Sequence, residues 1–85
     1  MKDRAILLTK KAGPKRLSEI GGDYERWKNI SRGIVRIGAD ELEVLAQYFP
    51  SYSYWLISGE IAPEIGQTSP AYDEANEKLD EPNLA

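Results

Sequence analysis

Up to about residue 60 the apolar positions recur at three- and four-residue spacing, the period of helices that each bury one face. Asp3–Ala12 carries Ala5, Ile6, Leu7 and Leu8 and ends at Gly13-Pro14, a helix stop followed by a helix start, because proline suits a first helical turn. Leu17 and Ile20 mark one face of a short second helix; Tyr24, Trp27 and Ile30 do the same for a third. Between them, Gly21 and Gly22 supply the positive φ of a sharp turn, and Asp23 stands where an N-cap belongs. Gly33 closes the third helix as a C′ residue.

Ile34–Gly38 is too short for a sheet element with no partner strand, so it reads as a loop that tucks Ile34 or Ile37 into the core. Asp40, Glu41 and Glu43 crowd the start of a fourth helix, where negative charge complements the helix dipole. Leu42, Leu45, Ala46 and Phe49 follow the i, i+3, i+4, i+7 pattern, the cleanest amphipathic stretch in the chain. Pro50 stops it, and Ser51 is expected to cap a short fifth helix, Tyr52–Ser58, ending at Gly59. The expected fold is all-α: a compact five-helix domain over 3–60. Residues 61–85 are acidic, interrupted by proline and poor in apolar groups, which predicts a flexible tail.

With 85 residues the chain makes one small domain. It has no cysteine, which excludes disulfides, thiolate zinc sites and cysteine nucleophiles. It has no histidine either, which removes the usual general base and Ser-His-Asp triads. No phosphate loop or nucleotide fingerprint occurs, so no enzymatic activity, cofactor or small-molecule substrate is expected. Asp40, Glu41 and Glu43 resemble a metal cluster only in composition; dipole and capping roles explain them, and no metal is expected. The absence of a signal-peptide pattern or a long apolar run predicts a cytoplasmic chain with no membrane span.

Charge changes the picture. Met1–Gly38 holds ten Lys/Arg and four Asp/Glu, a balance of +6, whereas Ala39–Ala85 holds ten acids and Lys78 alone, a balance of −9. The net charge of −3 therefore hides a divided molecule whose basic half suits a polyanion. That half coincides with the two short helices around Gly21-Gly22. If Trp27 and Ile30 face inward, Glu25, Arg26, Lys28, Asn29 and Arg32 point out. Arginine and asparagine read guanine and adenine edges in a major groove, while lysine and arginine neutralise phosphates. The same features also fit an ordinary amphipathic hairpin with a solvated face.

The order LSEIGG, DYERWKNISRG, ELEVLAQYF and YWLISGE resembles the lambda-repressor-like helix-turn-helix family (Cro/CI, or XRE), over roughly Arg4–Glu60. Its most specific parts are the Trp27, Ile30, Gly33 ending of the third helix and the Trp55-Leu56-Ile57-Ser58-Gly59 close. The resemblance implies five packed helices and a transcriptional regulator, a repressor of prophage or bacterial type, that binds operator-like double-stranded DNA, often as a homodimer. It places the recognition helix at about 23–32, with Asp23, Tyr24, Glu25, Arg26 and Asn29 facing base edges or flanking phosphates. Lys15, Arg16, Lys28, Arg32 and Arg36 fall to the phosphate backbone. Two positions depart from the family pattern: Pro14 stands where a phosphate-gripping glutamine is usual, and Ser18 where alanine is.

The dense aromatics Tyr48, Phe49, Tyr52, Tyr54 and Trp55 read as core plus a partly exposed patch, suited to a dimer surface. An alternative function keeps the helix-turn-helix scaffold but makes it a protein-interaction module or DNA mimic, working through the acidic C-terminal half.

Overall fold

The computed structural model describes the backbone of residues 1–84 and the side chains of residues 1–77. Five helices meet at one core: α1 (Lys2–Ala12), α2 (Pro14–Ile20), α3 (Tyr24–Ser31), α4 (Ala39–Tyr48) and α5 (Ser53–Ser58). Each contributes to it: Ala5 and Leu8 from α1, Leu17 from α2, Trp27 and Ile30 from α3, Leu45 from α4, Leu56 from α5. No strand occurs among the described residues, and the all-α expectation holds. Helix α3 packs on both α2 and α1, while α4 packs on α1 and α2.

Local signals explain most helix ends. Asp23 Oδ2 accepts from the Arg26 amide at 3.1 Å, the N-cap bond expected for this helix. At the other end of α3 the Gly33 amide donates to the Ile30 carbonyl at 3.0 Å and the Ile34 amide to the Asn29 carbonyl at 2.9 Å. That pair of bonds is a Schellman motif, and its C′ position takes Gly33 at φ +76°. The loop then sends Ile37 onto the core and leaves Ile34 66% exposed, so only one of the two candidate isoleucines is used. Ile20 is likewise half-exposed, not part of the core.

The expected Ser51 cap is not formed. A 3-10 turn spans Pro50–Tyr52, α5 begins only at Ser53, and the Ser51 carbonyl accepts from the Thr68 amide at 2.8 Å. The first turn of α5 is capped from a distance instead: Gln67 Oε1 accepts from the Tyr54 amide at 3.1 Å and from Ser53 Oγ at 3.2 Å. Gln67 Nε2 donates to the Pro50 carbonyl at 3.1 Å. At the C-terminal end of α5, Arg4 Nε on α1 donates to the Leu56 carbonyl at 3.0 Å, a cation on free carbonyls.

Residues 61–77, expected as a tail without elements of its own, carry both a turn and the start of a helix. A 3-10 turn (Pro63–Ile65) lies inside a short antiparallel bridge between Ala62 and Gln67, and a sixth helix, α6, runs Pro70–Leu84. Ser69, largely buried, accepts from the Tyr72 amide at 3.1 Å and so caps α6, with Pro70 at its first position. Tyr52 Oη donates to Asp73 Oδ2 at 2.7 Å and ties α6 to the corner after α4. Polar side chains, not apolar burial, fasten this segment, so its low apolar content does not leave it undocked. Expectations for Ala85 and for the side chains of residues 78–84, Lys78, Asp80 and Glu81 among them, lie outside the described residues.

Candidate functional site

Helix α3 divides its residues as its period demands. Trp27 and Ile30 are fully buried, whereas Tyr24, Glu25 and Arg26 are exposed and Lys28 and Asn29 half-buried. Trp27 fixes the rotation of the helix, because its Nε1 donates to the Gly21 carbonyl at 2.8 Å and its ring fills the centre of the core. The turn Gly21–Asp23 is therefore both the link between α2 and α3 and a ligand of the α3 anchor.

The exposed side chains form two groups and several single positions. In the first group the Lys28 ammonium lies 5.3 Å above the Tyr24 ring and 3.9 Å from Glu25 Oε1, all three on α3. In the second, Arg26 Nε donates to Glu41 Oε2 in an ion pair, and Arg26 Nη2 donates to the Arg36 carbonyl at 2.9 Å. Glu41 Oε1 accepts from the Gly38 amide at 2.7 Å. Glu41 is only 6% exposed although it sits in the first turn of α4; Asp40 and Glu43 beside it are exposed.

Lys15, Asn29 and Arg32 have no side-chain hydrogen bond or ion pair among the described residues. Arg16 reaches α4 instead, its Nη1 donating to Tyr48 Oη at 3.4 Å, a bond that raises the guanidinium above its ordinary pKa. The structure thus brings Tyr24, Glu25 and Lys28 together, joins Arg26 to the loop that carries Arg36, and leaves Arg16 apart on the α2–α4 side. Glu41 was missed as a site residue. The signal for it was its place three residues after Gly38, where a glutamate reaches back to the N-cap amide; its pairing with Arg26, fifteen positions earlier, carries no sequence mark.

A second surface lies on α5 and the segment after it. Tyr54, Ile57, Ile61 and Ile65 are exposed, with Ile57 at 66% and Ile65 at 73%, and Tyr54, Ile57 and Ile65 line one shallow groove with Ala62. Of the expected aromatic cluster, Tyr48, Phe49, Tyr52 and Trp55 pack against the core, and Tyr54 alone joins this patch. No helix among the described residues is long and apolar enough to cross a membrane.

No protein-family model matches the chain, and no curated protein does. Among solved structures it is similar to Pf6r from the filamentous phage Pf6 of Pseudomonas aeruginosa PA01. The two share 44% sequence identity at a TM-score of 0.86, over 92% of this chain and 94% of that one. The chain belongs to the family of Pf6r.

Proposed function

We propose that the chain is a sequence-specific regulator of transcription that binds double-stranded DNA with α3 in the major groove, of the lambda-repressor-like helix-turn-helix kind. The observation that carries this reading is the division of α3. Trp27 and Ile30 are spent on the core, the turn before the helix is three residues long, and the outward face offers a tyrosine, a carboxylate and an unpartnered amide. An amide free to donate and accept is what pairs with adenine N6 and N7.

Tyr24, Glu25 and Asn29 are assigned to base edges. Lys15, Arg16, Lys28, Arg32 and Arg36 are assigned to phosphates, which position the protein without carrying sequence information. Such a protein acts by occupying its site and performs no chemistry, so it has no catalytic residue, cofactor or small-molecule substrate, and it works in the cytoplasm where duplex DNA is. The phage origin of Pf6r supports a prophage regulator, and a repressor is the form this reading takes. The exposed patch of Tyr54, Ile57 and Ile65 supports a homodimer, whose two helices would meet half-sites about one turn, roughly 34 Å, apart.

A gel shift with genomic fragments from around the gene's own promoter, in excess non-specific competitor, tests this. One or a few fragments should be retarded at competitor levels that free the rest. Retardation of none, or of all equally, contradicts sequence-specific regulation.

A further inference from the structure

We infer that Arg26, Glu41 and the Arg36 backbone form a positioning unit, in which Arg26 governs DNA binding by holding the phosphate-contacting loop and not by touching a base. This rests on the DNA-binding reading above and changes the role of one residue that the family resemblance gives to base edges.

The geometry of Arg26 is the starting point. Its guanidinium directs Nε to a carboxylate oxygen and Nη2 to a carbonyl oxygen, two acceptors on different elements, α4 and the loop. Arginine presents its donors in a flat fork, so fixing two of them fixes the plane of the group and leaves little freedom to reach for a guanine. Glu41 is held just as fully, with each carboxylate oxygen occupied, one by Arg26 and one by the Gly38 amide. Its side chain is 8% exposed, against 44% for Arg26. A carboxylate that buried is strongly destabilising once its partner is removed, so the pair acts as one unit.

The unit clamps the second half of the loop, at Arg36 and at Gly38. Arg36 is held through its carbonyl and Gly38 through its amide, and the backbone lies flush against the pair: a Cβ at Gly38 would meet Glu41 Oε1 at 3.2 Å and Arg26 Nη2 at 3.6 Å. Arg26 is next to Trp27, the fully buried anchor of α3. Glu41 lies one turn before Leu45, which is fully buried on α4. The clamp therefore runs from the core, through α3, to the loop and back to the core through α4. The exposed Arg36 side chain inherits its placement from that chain of contacts.

Arg26→Ala, Arg26→Lys, Glu41→Gln, Arg36→Ala and the Arg26→Ala/Glu41→Gln double variant decide between the two roles. Fluorescence anisotropy against a duplex selected from a random library and a scrambled control, at several salt concentrations, gives affinity and salt slope. Glu41 is buried away from solvent, so Glu41→Gln should lower affinity for both duplexes by about three- to tenfold only if the loop matters. Arg26→Ala should do the same, the double variant should be no worse than Arg26→Ala, and the salt slope should fall toward that of Arg36→Ala. Arg26→Lys, which keeps the charge but not the fork, should recover only part of the loss.

If Arg26→Ala instead weakens the selected duplex alone while Glu41→Gln binds as wild type, Arg26 reads a base and the inference is overturned. Amide chemical shifts of Arg36 and Gly38 are measured in the same variants without DNA. They should move in both Arg26→Ala and Glu41→Gln while the shifts of the core amides stay put. Unmoved loop amides overturn the clamp even if wild-type protein binds no duplex, an outcome that would sink the DNA-binding reading separately.

Discussion

The Trp27 indole donates to the Gly21 carbonyl at 2.8 Å, across the turn that precedes its own helix. Gly22 passes directly over that bond at φ +87°, and a Cβ there would lie 2.7 Å from Trp27 Nε1. The turn is thus glycine both for its dihedral and for the space the indole occupies. Gly22→Ala should destabilise the fold by about 1–3 kcal/mol, from strain and crowding together. Trp27→Ala removes the largest fully buried side chain and should cost about 3–5 kcal/mol, most of the stability of so small a domain. Urea denaturation measures both; an unchanged midpoint in either variant would mean that α3 is not anchored in this way.

Gln67 holds the segment after Glu60 to the first turn of α5 by two hydrogen bonds and to Pro50, in the turn before it, by a third. Gln67→Ala should therefore lower stability by about 1–3 kcal/mol, since it leaves the Tyr54 amide without its acceptor. In a chain this short that is a fall of about 5–15 °C in melting temperature. Calorimetry of Gln67→Ala beside wild type is the check. An unchanged melting temperature would restore the undocked tail that composition suggests.

Tyr52 ties the same segment down through Asp73, and burial, with that bond, raises its pKa from 10.0 to about 12. A raised folded-state value means that the folded protein holds its proton more tightly than the unfolded chain. The stabilisation is then complete below pH 10 and is lost as pH climbs from 10 to about 12. Melting temperature should drop more steeply over that window in wild type than in Tyr52→Phe, which has no proton to lose. Parallel profiles for the two proteins would remove the Tyr52–Asp73 contact from the stabilising set.

How much of this was legible in the sequence varies with the kind of force involved. Leu42, Leu45, Trp27, Ile30, Gly33 and Asp23 announce helices, caps and turn through spacing and residue type alone, and the structure uses them so. Ser69-Pro70 was an N-cap followed by a first-turn proline, a start signal hidden within an acidic stretch. Gln67 capping α5 and Glu41 receiving Arg26 are contacts between residues far apart in sequence, and nothing local marks a glutamine or a glutamate for such a role. For the candidate site, spacing revealed which face of α3 is outward; it could not show that one of the outward arginines is already occupied.

Asn29 and Arg36 should separate base reading from phosphate binding. Asn29→Ala should cost about 1–3 kcal/mol on a selected duplex and little on scrambled DNA, because its amide is free to pair with a base. Arg36→Ala should weaken both about equally. Anisotropy titrations of the two variants on both duplexes provide the comparison, and equal losses for Asn29→Ala would mean that α3 does not read bases.

Affinity of the wild-type chain for a library-selected duplex, titrated from dilute to physiological salt, probes DNA binding most directly. Lys15, Arg16, Lys28, Arg32 and Arg36, as assigned in the proposed function, should make about four to six phosphate contacts per protomer, so log K should fall against log salt with a slope of about −4 to −5. The selected duplex should stay well ahead of the scrambled one throughout. An affinity indifferent to salt, or one equal on both duplexes, would contradict a protein that holds phosphates with those five cations and reads bases from α3.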